Sequence, residues 1–370
     1  MPGWTHTGFA QKIVFGEGSL DQLPGLLKEL GLRRVMLVTT NGRLASDDGQ
    51  RVAAKLARSR AATFADVRSH VPTTAVQTAV RQALSDGVDS VVSFGGGSCA
   101  DLGKAVCFFV EQQAGTPGAS FSDRPALPHI SIPTTYSGAE LTPFFGMTDE
   151  AARRKTGSGG PTIAPRAAIY DPVLTLDTPV RVSAETGMNC LAHGVEAVWS
   201  AAHSPEAEAI ALACISRVVS ALPNVVDEPG DPDARAAMLE AAVLGGRCLQ
   251  NAAMGVHHGL SQLVGGRTGI AHGLANAVLL AHAIRFNAGD PALYEPLAKI
   301  GVALGDPDDP AGAVDRLRER IGLPGQLSDA GMTDEDIDAV VRMVQTSPAI
   351  KGNPRAVSED DARGILEAAF

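Results

Sequence analysis

The chain has 370 residues, 45% hydrophobic and 19% charged, with a formal net charge of −10; that length suggests two domains and that composition excludes a disordered chain. With no run of Lys or Arg, the acidic balance argues against nucleic acid or an anionic membrane as partner. The start, MPGWTHTGFAQKIVFGEG, lacks the parts of a signal peptide, no apolar run is expected to reach the roughly 18–20 residues of a membrane span, and the five cysteines (Cys99, Cys107, Cys190, Cys214, Cys248) lack CxxC spacing, as expected of reduced core thiols in a cytoplasmic protein.

In chain order, RRVMLVTT (33–40) predicts a short strand and TAVQTAVRQALSDG (74–87) a helix that stops at glycine. VDSVVSF (88–94) and HISIPTT (129–135) predict further strands. Strands alternating with helices argue for a parallel sheet covered on both faces, with ligands at the carboxyl ends of its strands. The Pro-rich segment 161–179 reads as the crossing between domains. From about residue 180 onward, long Ala/Leu-rich segments are periodic at helical spacing. The expected fold is an α/β domain over 1–162 followed by an all-α domain over 163–370.

The stretch SFGGGSCADLGKAV (93–106) places Gly95, Gly96, Gly97 and Ser98 after a strand and before a helix. Glycines permit close backbone approach, and a helix N-terminus favours an anion such as a pyrophosphate. A plain strand-to-helix turn has the same composition. The next loop, PTTYSGAELT (133–142), favours the ligand reading because it sets Thr134, Thr135 and Tyr136 at the neighbouring strand end.

Histidines carry the second signal. Asn189 and His193 lie four apart on one helix face, and His258 and Gln262 repeat that spacing. His272 follows a loop with Gly265, Gly266 and Gly269. Asn189, His193, His258 and His272 are therefore candidates to converge, and imidazoles suit Zn²⁺ or Fe²⁺, although an amide oxygen is a weak ligand. His6, His70, His129 and His203 have no such companions and read as ordinary packed or surface residues.

Taken together, GGGS after a strand, PTTYSGAELT, IAPRAAIYDPVLTLDTP, GMNCLAHGVEA, VHHGLSQLVGG and AHGLANAVLLAHAIRFN occur in an order that resembles the iron-containing (group III) alcohol dehydrogenase superfamily. PTTYSG, the doublet His257–His258, Asn189 in place of Asp and NPRAVSEDDARGILEAAF resemble its maleylacetate reductase branch. The resemblance implies a Rossmann-like nucleotide domain, a dehydroquinate synthase-like helical domain, an active site in the cleft between them, and a homodimer. It implies NAD(P)H bound by Gly96, Gly97, Ser98 and Asp101, with Thr134 and Thr135 on the nicotinamide side and Lys155 lining the cleft. Where such dehydrogenases often have a ribose-binding Asp after the second strand, this chain has Thr40, with Arg43 close behind, so NADPH is expected to be accepted. The metal positions match Asn189, His193, His258 and His272; with Asn189 in place of the carboxylate, a divalent Fe or Zn ion is expected to be weakly held or absent.

Two further departures mark the chain: Gln262 stands where another His is usual, and Gly259 where maleylacetate reductases carry Lys. The function expected is NAD(P)H-dependent reduction of a small carbonyl or enone, with or without a carboxylate. His257 and His258 are the catalytic candidates, His257 as proton donor. Arg267 is either a substrate-carboxylate ligand or a solvated loop residue. The alternatives are a lyase or cyclase that reuses the fold without net redox chemistry, and a binding protein without catalysis.

Overall fold

A computed structural model describes residues 8–115, 127–152, 154–202 and 204–370; His6 and His203 lie outside them. The chain divides into two compact units, Gly8–Asp177 and the segment from Thr178 to Phe370.

The first unit is built on β1 (Lys12–Phe15), β2 (Val35–Val38), β3 (Arg60–Phe64), β4 (Ser90–Gly95), β5 (His129–Pro133), β6 (Phe144–Asp149), β7 (Arg154–Gly159) and β8 (Ala167–Tyr170). Six strands form one sheet in the order β1-β8-β5-β4-β2-β3, every pairing parallel. Side-chain alternation explains why both faces are covered. Met36 and Val38 enter one apolar cluster, while Val35 and Leu37 enter another that also holds Val92 and Phe94. The strands expected at 33–40, 88–94 and 129–135 are β2, β4 and β5, and the expected helix is Thr73–Ser85. β6 and β7 pair separately as an antiparallel hairpin.

The expected boundary at 162/163 is corrected. Segment 161–179 contains β8, which pairs with β1 on one side and β5 on the other, so the sheet cannot close without it. The first unit therefore runs to Asp177.

The second unit is helical. Its site-bearing helices are Val180–Trp199, Val256–Thr268 and His272–Asn287. The first of these is buried almost throughout from Ser183 onward. Contrary to the expectation that no segment has the length and apolarity of a membrane span, helix Pro205–Asp227 has both, with a mean hydropathy of 1.8 in its apolar window. It nevertheless buries Ala207, Ala211, Cys214, Ile215, Val218 and Leu222 at helical spacing, the pattern of a helix packed along one face. All five cysteines are buried, and none is in a disulfide.

Candidate active site

The first group of site residues lies at the carboxyl end of β4. Gly95 has φ of +141°, in the region that favours glycine, and a Cβ there would lie 2.6 Å from Cys99 Sγ. A Cβ on Gly97 would lie 2.8 Å from Ser137 Oγ, so this loop and the 134–139 loop are in direct contact. The helix Gly97–Gln113 begins at Gly96 with no side-chain cap, the kind of helix N-terminus that favours an anion. Gly96, Gly97 and Ser98 are half-buried, whereas Thr134 and Thr135 are buried. Thr135 Oγ1 is a buried hydroxyl with no hydrogen-bond partner among the described residues, as a residue shaped to meet a ligand would be.

The residues around this loop have structural duties too. Asp101 pairs with the buried Lys104 at 2.8 Å and accepts from the Gly146 N–H at 3.2 Å, tying the loop helix to β6. Lys104 also donates to Ala139 O (2.8 Å) and Thr142 Oγ1 (2.7 Å). Lys155 is half-buried on β7 opposite Thr148; burial pulls its ammonium pKa down, and Asp101 opposes this. Thr40 follows β2 and caps helix Asn41–Ala45 by accepting from the Arg43 N–H at 3.1 Å. Burial pushes the Cys99 thiol up to about 12, with the Arg43 charge acting against it. β2 and β4 are neighbouring parallel strands, and Thr39 Oγ1 donates to Phe94 O at 2.8 Å, so Thr40 at the end of β2 lies on the same strand-end rim as the glycine loop.

The second group lies wholly in the helical unit. Helix Val180–Trp199 presents Asn189, His193 and Glu196 at spacings of four and three, hence on one face. The His193 and His258 rings stack with centroids 4.8 Å apart, and His272 lies 5.8 Å from His258. The structure thus brings together the three histidine rings among the four candidates, while Asn189 shares the helix face of His193. Burial pushes the His193 pKa well below the ordinary imidazole range, so its ring is neutral.

Glu196 was not among the residues anticipated. It is fully buried, and its Oε1 accepts from the main-chain N–H of Gly255 (2.9 Å) and His257 (3.1 Å). Its Oε2 accepts from the His258 N–H (3.3 Å) and from His258 Nδ1 (2.5 Å). Helix Val256–Thr268 has no side-chain cap of its own, so a carboxylate from another helix takes that place. Burial alone would raise the Glu196 pKa, but the hydrogen bond from the His258 ring holds it below the carboxylate range. The sequence signal was available: Glu196 continues the Asn189–His193 spacing by one turn.

His257 is corrected. Its side chain is fully buried, its Nε2 donates to Asn276 O at 2.9 Å, and its Nδ1 faces His258 Nδ1 at 3.3 Å. A ring sealed from solvent and spent on a main-chain carbonyl is not placed to give a proton to substrate. Arg267, the other open assignment, is held by Asp336 at 2.7 Å and braces the fold. Gln262 is exposed.

The donor set fits a divalent ion through imidazoles. His193 Nδ1 is buried without a hydrogen-bond partner among the described residues, as a ligand nitrogen would be. Asn189 contributes no charge, and its Oδ1 already accepts from Asn276 Nδ2 at 2.5 Å. Glu196, His257 and His258 also offer ligand atoms within 4.8 Å of one another. The hydrogen bonds above already occupy Glu196 and His257, so we read those three as support for the trio rather than as a metal centre.

Sequence profiles described as "Iron-containing alcohol dehydrogenase" and "Fe-containing alcohol dehydrogenase family, C-terminal" match residues 10–172 and 183–370. A maleylacetate reductase from Rhizobium sp. (strain MTP-10005) is 34% identical over 370 residues, covering 100% of this chain and 98% of that protein. The crystal structure of maleylacetate reductase from Rhizobium sp. strain MTP-10005 superimposes with a TM-score of 0.86 at 32% identity, covering 100% and 99% of the two chains. Sulfoacetaldehyde reductase from Bifidobacterium kashiwanohense, solved in complex with NAD⁺, gives a TM-score of 0.86 at 27% identity, with 100% and 99% covered.

Proposed function

Since the chain belongs to the iron-containing alcohol dehydrogenase family and is an NAD(P)H-dependent reductase, we propose that its substrate is a small, oxygen-rich carbonyl or enone with one carboxylate or none. The observation that carries this reading is the buried trio His193, His258 and His272, set in a chain whose other unit has an uncapped glycine-loop helix. Reduced nicotinamide supplies a hydride, and a divalent ion held by the three imidazoles supplies a Lewis acid for the carbonyl.

The chain's own residues do the rest. Main-chain N–H groups at Gly96, Gly97 and Ser98 hold the diphosphate, and Thr134, Thr135 and Lys155 orient the nicotinamide half. Asp101 keeps the loop helix in place by accepting from the Gly146 N–H of β6. Neutral His193 offers a lone pair rather than a proton. With His257 sealed, the proton that completes reduction is assigned to solvent. Thr40 and Arg43 put no acid on the adenosine ribose, which favours NADPH being accepted at least as well as NADH. A homodimer is the proposed assembly, checked by light scattering.

Two local features argue against a dicarboxylate such as maleylacetate. Gly259 is closed over by Ile350, whose Cγ1 would sit 2.3 Å from a Cβ, so no Lys is accommodated there. Arg267 is already paired with Asp336. The lyase or cyclase alternative finds no support among the relatives, which are reductases by name. The test is a panel of aldehydes, 2-keto acids and maleylacetate with NADPH and NADH. Higher kcat/KM for aldehydes or monocarboxylates than for maleylacetate is expected; the reverse order would overturn the substrate reading.

A further inference from the structure

We propose that Glu196, with His257 behind it, is a positioning residue that locks neutral His258 in the tautomer with its proton on Nδ1 and its lone pair on Nε2. The chain of reasoning starts at a main-chain carbonyl. Asn276 O can only accept, so the His257 Nε2 that lies 2.9 Å from it carries a proton. Neutral His257 therefore has its lone pair on Nδ1, the atom that faces His258 Nδ1 at 3.3 Å. Glu196 Oε2, a second acceptor, meets the same His258 nitrogen at 2.5 Å. Two acceptors converge on His258 Nδ1, and only a proton there satisfies both. His258 Nε2 is thereby committed as an acceptor or ligand, in keeping with its place in the trio.

This assignment separates two duties that one carboxylate performs. Oε1 caps the helix by accepting from Gly255 and His257 N–H, while Oε2 takes the longer His258 N–H contact (3.3 Å) and reads the His258 ring. In Glu196→Gln the amide oxygen must stay at the Oε1 place, because two N–H groups point at it. The amide nitrogen then faces His258 Nδ1 and donates to it, which sends the ring proton to Nε2. The fold keeps the two closer cap contacts on Oε1 and gives up only the longer His258 N–H contact, but the nitrogen offered to the trio becomes a donor. The consequence for catalysis rests on the reductase reading; the tautomer does not.

The test is ¹⁵N NMR of histidine-labelled protein, freed of metal by chelation and held at a pH where the rings are neutral, with His258 assigned by loss of its signals in His258→Phe. Wild type is expected to show a protonated Nδ1 and an unprotonated Nε2, Glu196→Gln the reverse, and Glu196→Asp the wild-type pattern. A wild-type His258 protonated on Nε2 would overturn the inference even if Glu196→Gln failed to fold. So would a folded Glu196→Gln that keeps its proton on Nδ1. Reductase activity lost in Glu196→Gln without the tautomer change would leave the functional reading standing and defeat this one.

Discussion

The glycine loop and the histidine trio do their work with different parts of the chain. At the loop, binding is assigned to the main chain: side chains are absent where the ligand must approach, and specificity comes from what a Cβ would strike. In the trio, every working atom belongs to a side chain, and the His258 ring is held by the Glu196 carboxylate. Two buried glutamates show the contrast. Glu140, in the sheet unit, is pushed up to about 7 by burial, which one backbone hydrogen bond and Tyr170 only partly offset. Glu196, equally buried, is held low because main-chain N–H groups and a histidine converge on it. Burial sets the starting point, and the number of donors decides the direction.

The largest expected effect tests the main-chain side of this contrast. Gly97→Val should weaken NADPH binding by about a hundredfold or more, equivalent to about 3 kcal/mol, while the histidine cluster stays intact. Calorimetric titration of the folded variant checks it, and unchanged affinity would remove the loop from the cofactor site.

Next comes Glu140. Its folded pKa lies above the ordinary value of 4.5, so the folded state holds this proton more tightly than the unfolded state does. The stability it contributes is fully present below pH 4.5 and is lost as pH rises through about 7. The upper bound is about 3 kcal/mol, from the free-energy equivalent of the shift. Glu140→Gln should flatten that pH dependence in chemical denaturation; an unchanged slope would show that Glu140 is not responsible for it.

Asn189→Asp sharpens the side-chain half. It restores one ligand charge while leaving Asn276 Nδ2 a partner, and should raise divalent-metal affinity about tenfold through Coulomb attraction. Elemental analysis after identical purification with added Zn²⁺ or Fe²⁺ is the check. Tight stoichiometric metal in the wild type, or no gain in the variant, would contradict it.

The smallest effect concerns the cofactor's far end. Arg43→Ala should raise the KM for NADPH about fivefold and leave that for NADH unchanged, the size of one partly exposed charge pair. Equal changes with both cofactors would show that Arg43 points elsewhere.

Legibility in the sequence divides along the same line. β2 and β4 could be read because VMLV and SVVSFG are buried on both faces, and the glycine loop because its function is written in missing side chains. β8 was read as a linker: AAIY is short, Ala-rich and flanked by prolines, and its strand character comes from pairing with β1 and β5. The trio was legible from i, i+4 spacing. The role of His257 was not, because it depends on a carbonyl 19 residues away that no spacing rule reveals. Glu196 lay within reach, one turn beyond His193.

The central claim, net reduction of a carbonyl by the bound nicotinamide, is tested most directly with NADPH carrying deuterium on the transferable C4 position. Mass spectrometry of the product from the best substrate in the panel is the measurement. The account predicts one deuterium on the former carbonyl or enone carbon and one NADP⁺ formed per product. Product formed without deuterium and without NADPH consumption would contradict it.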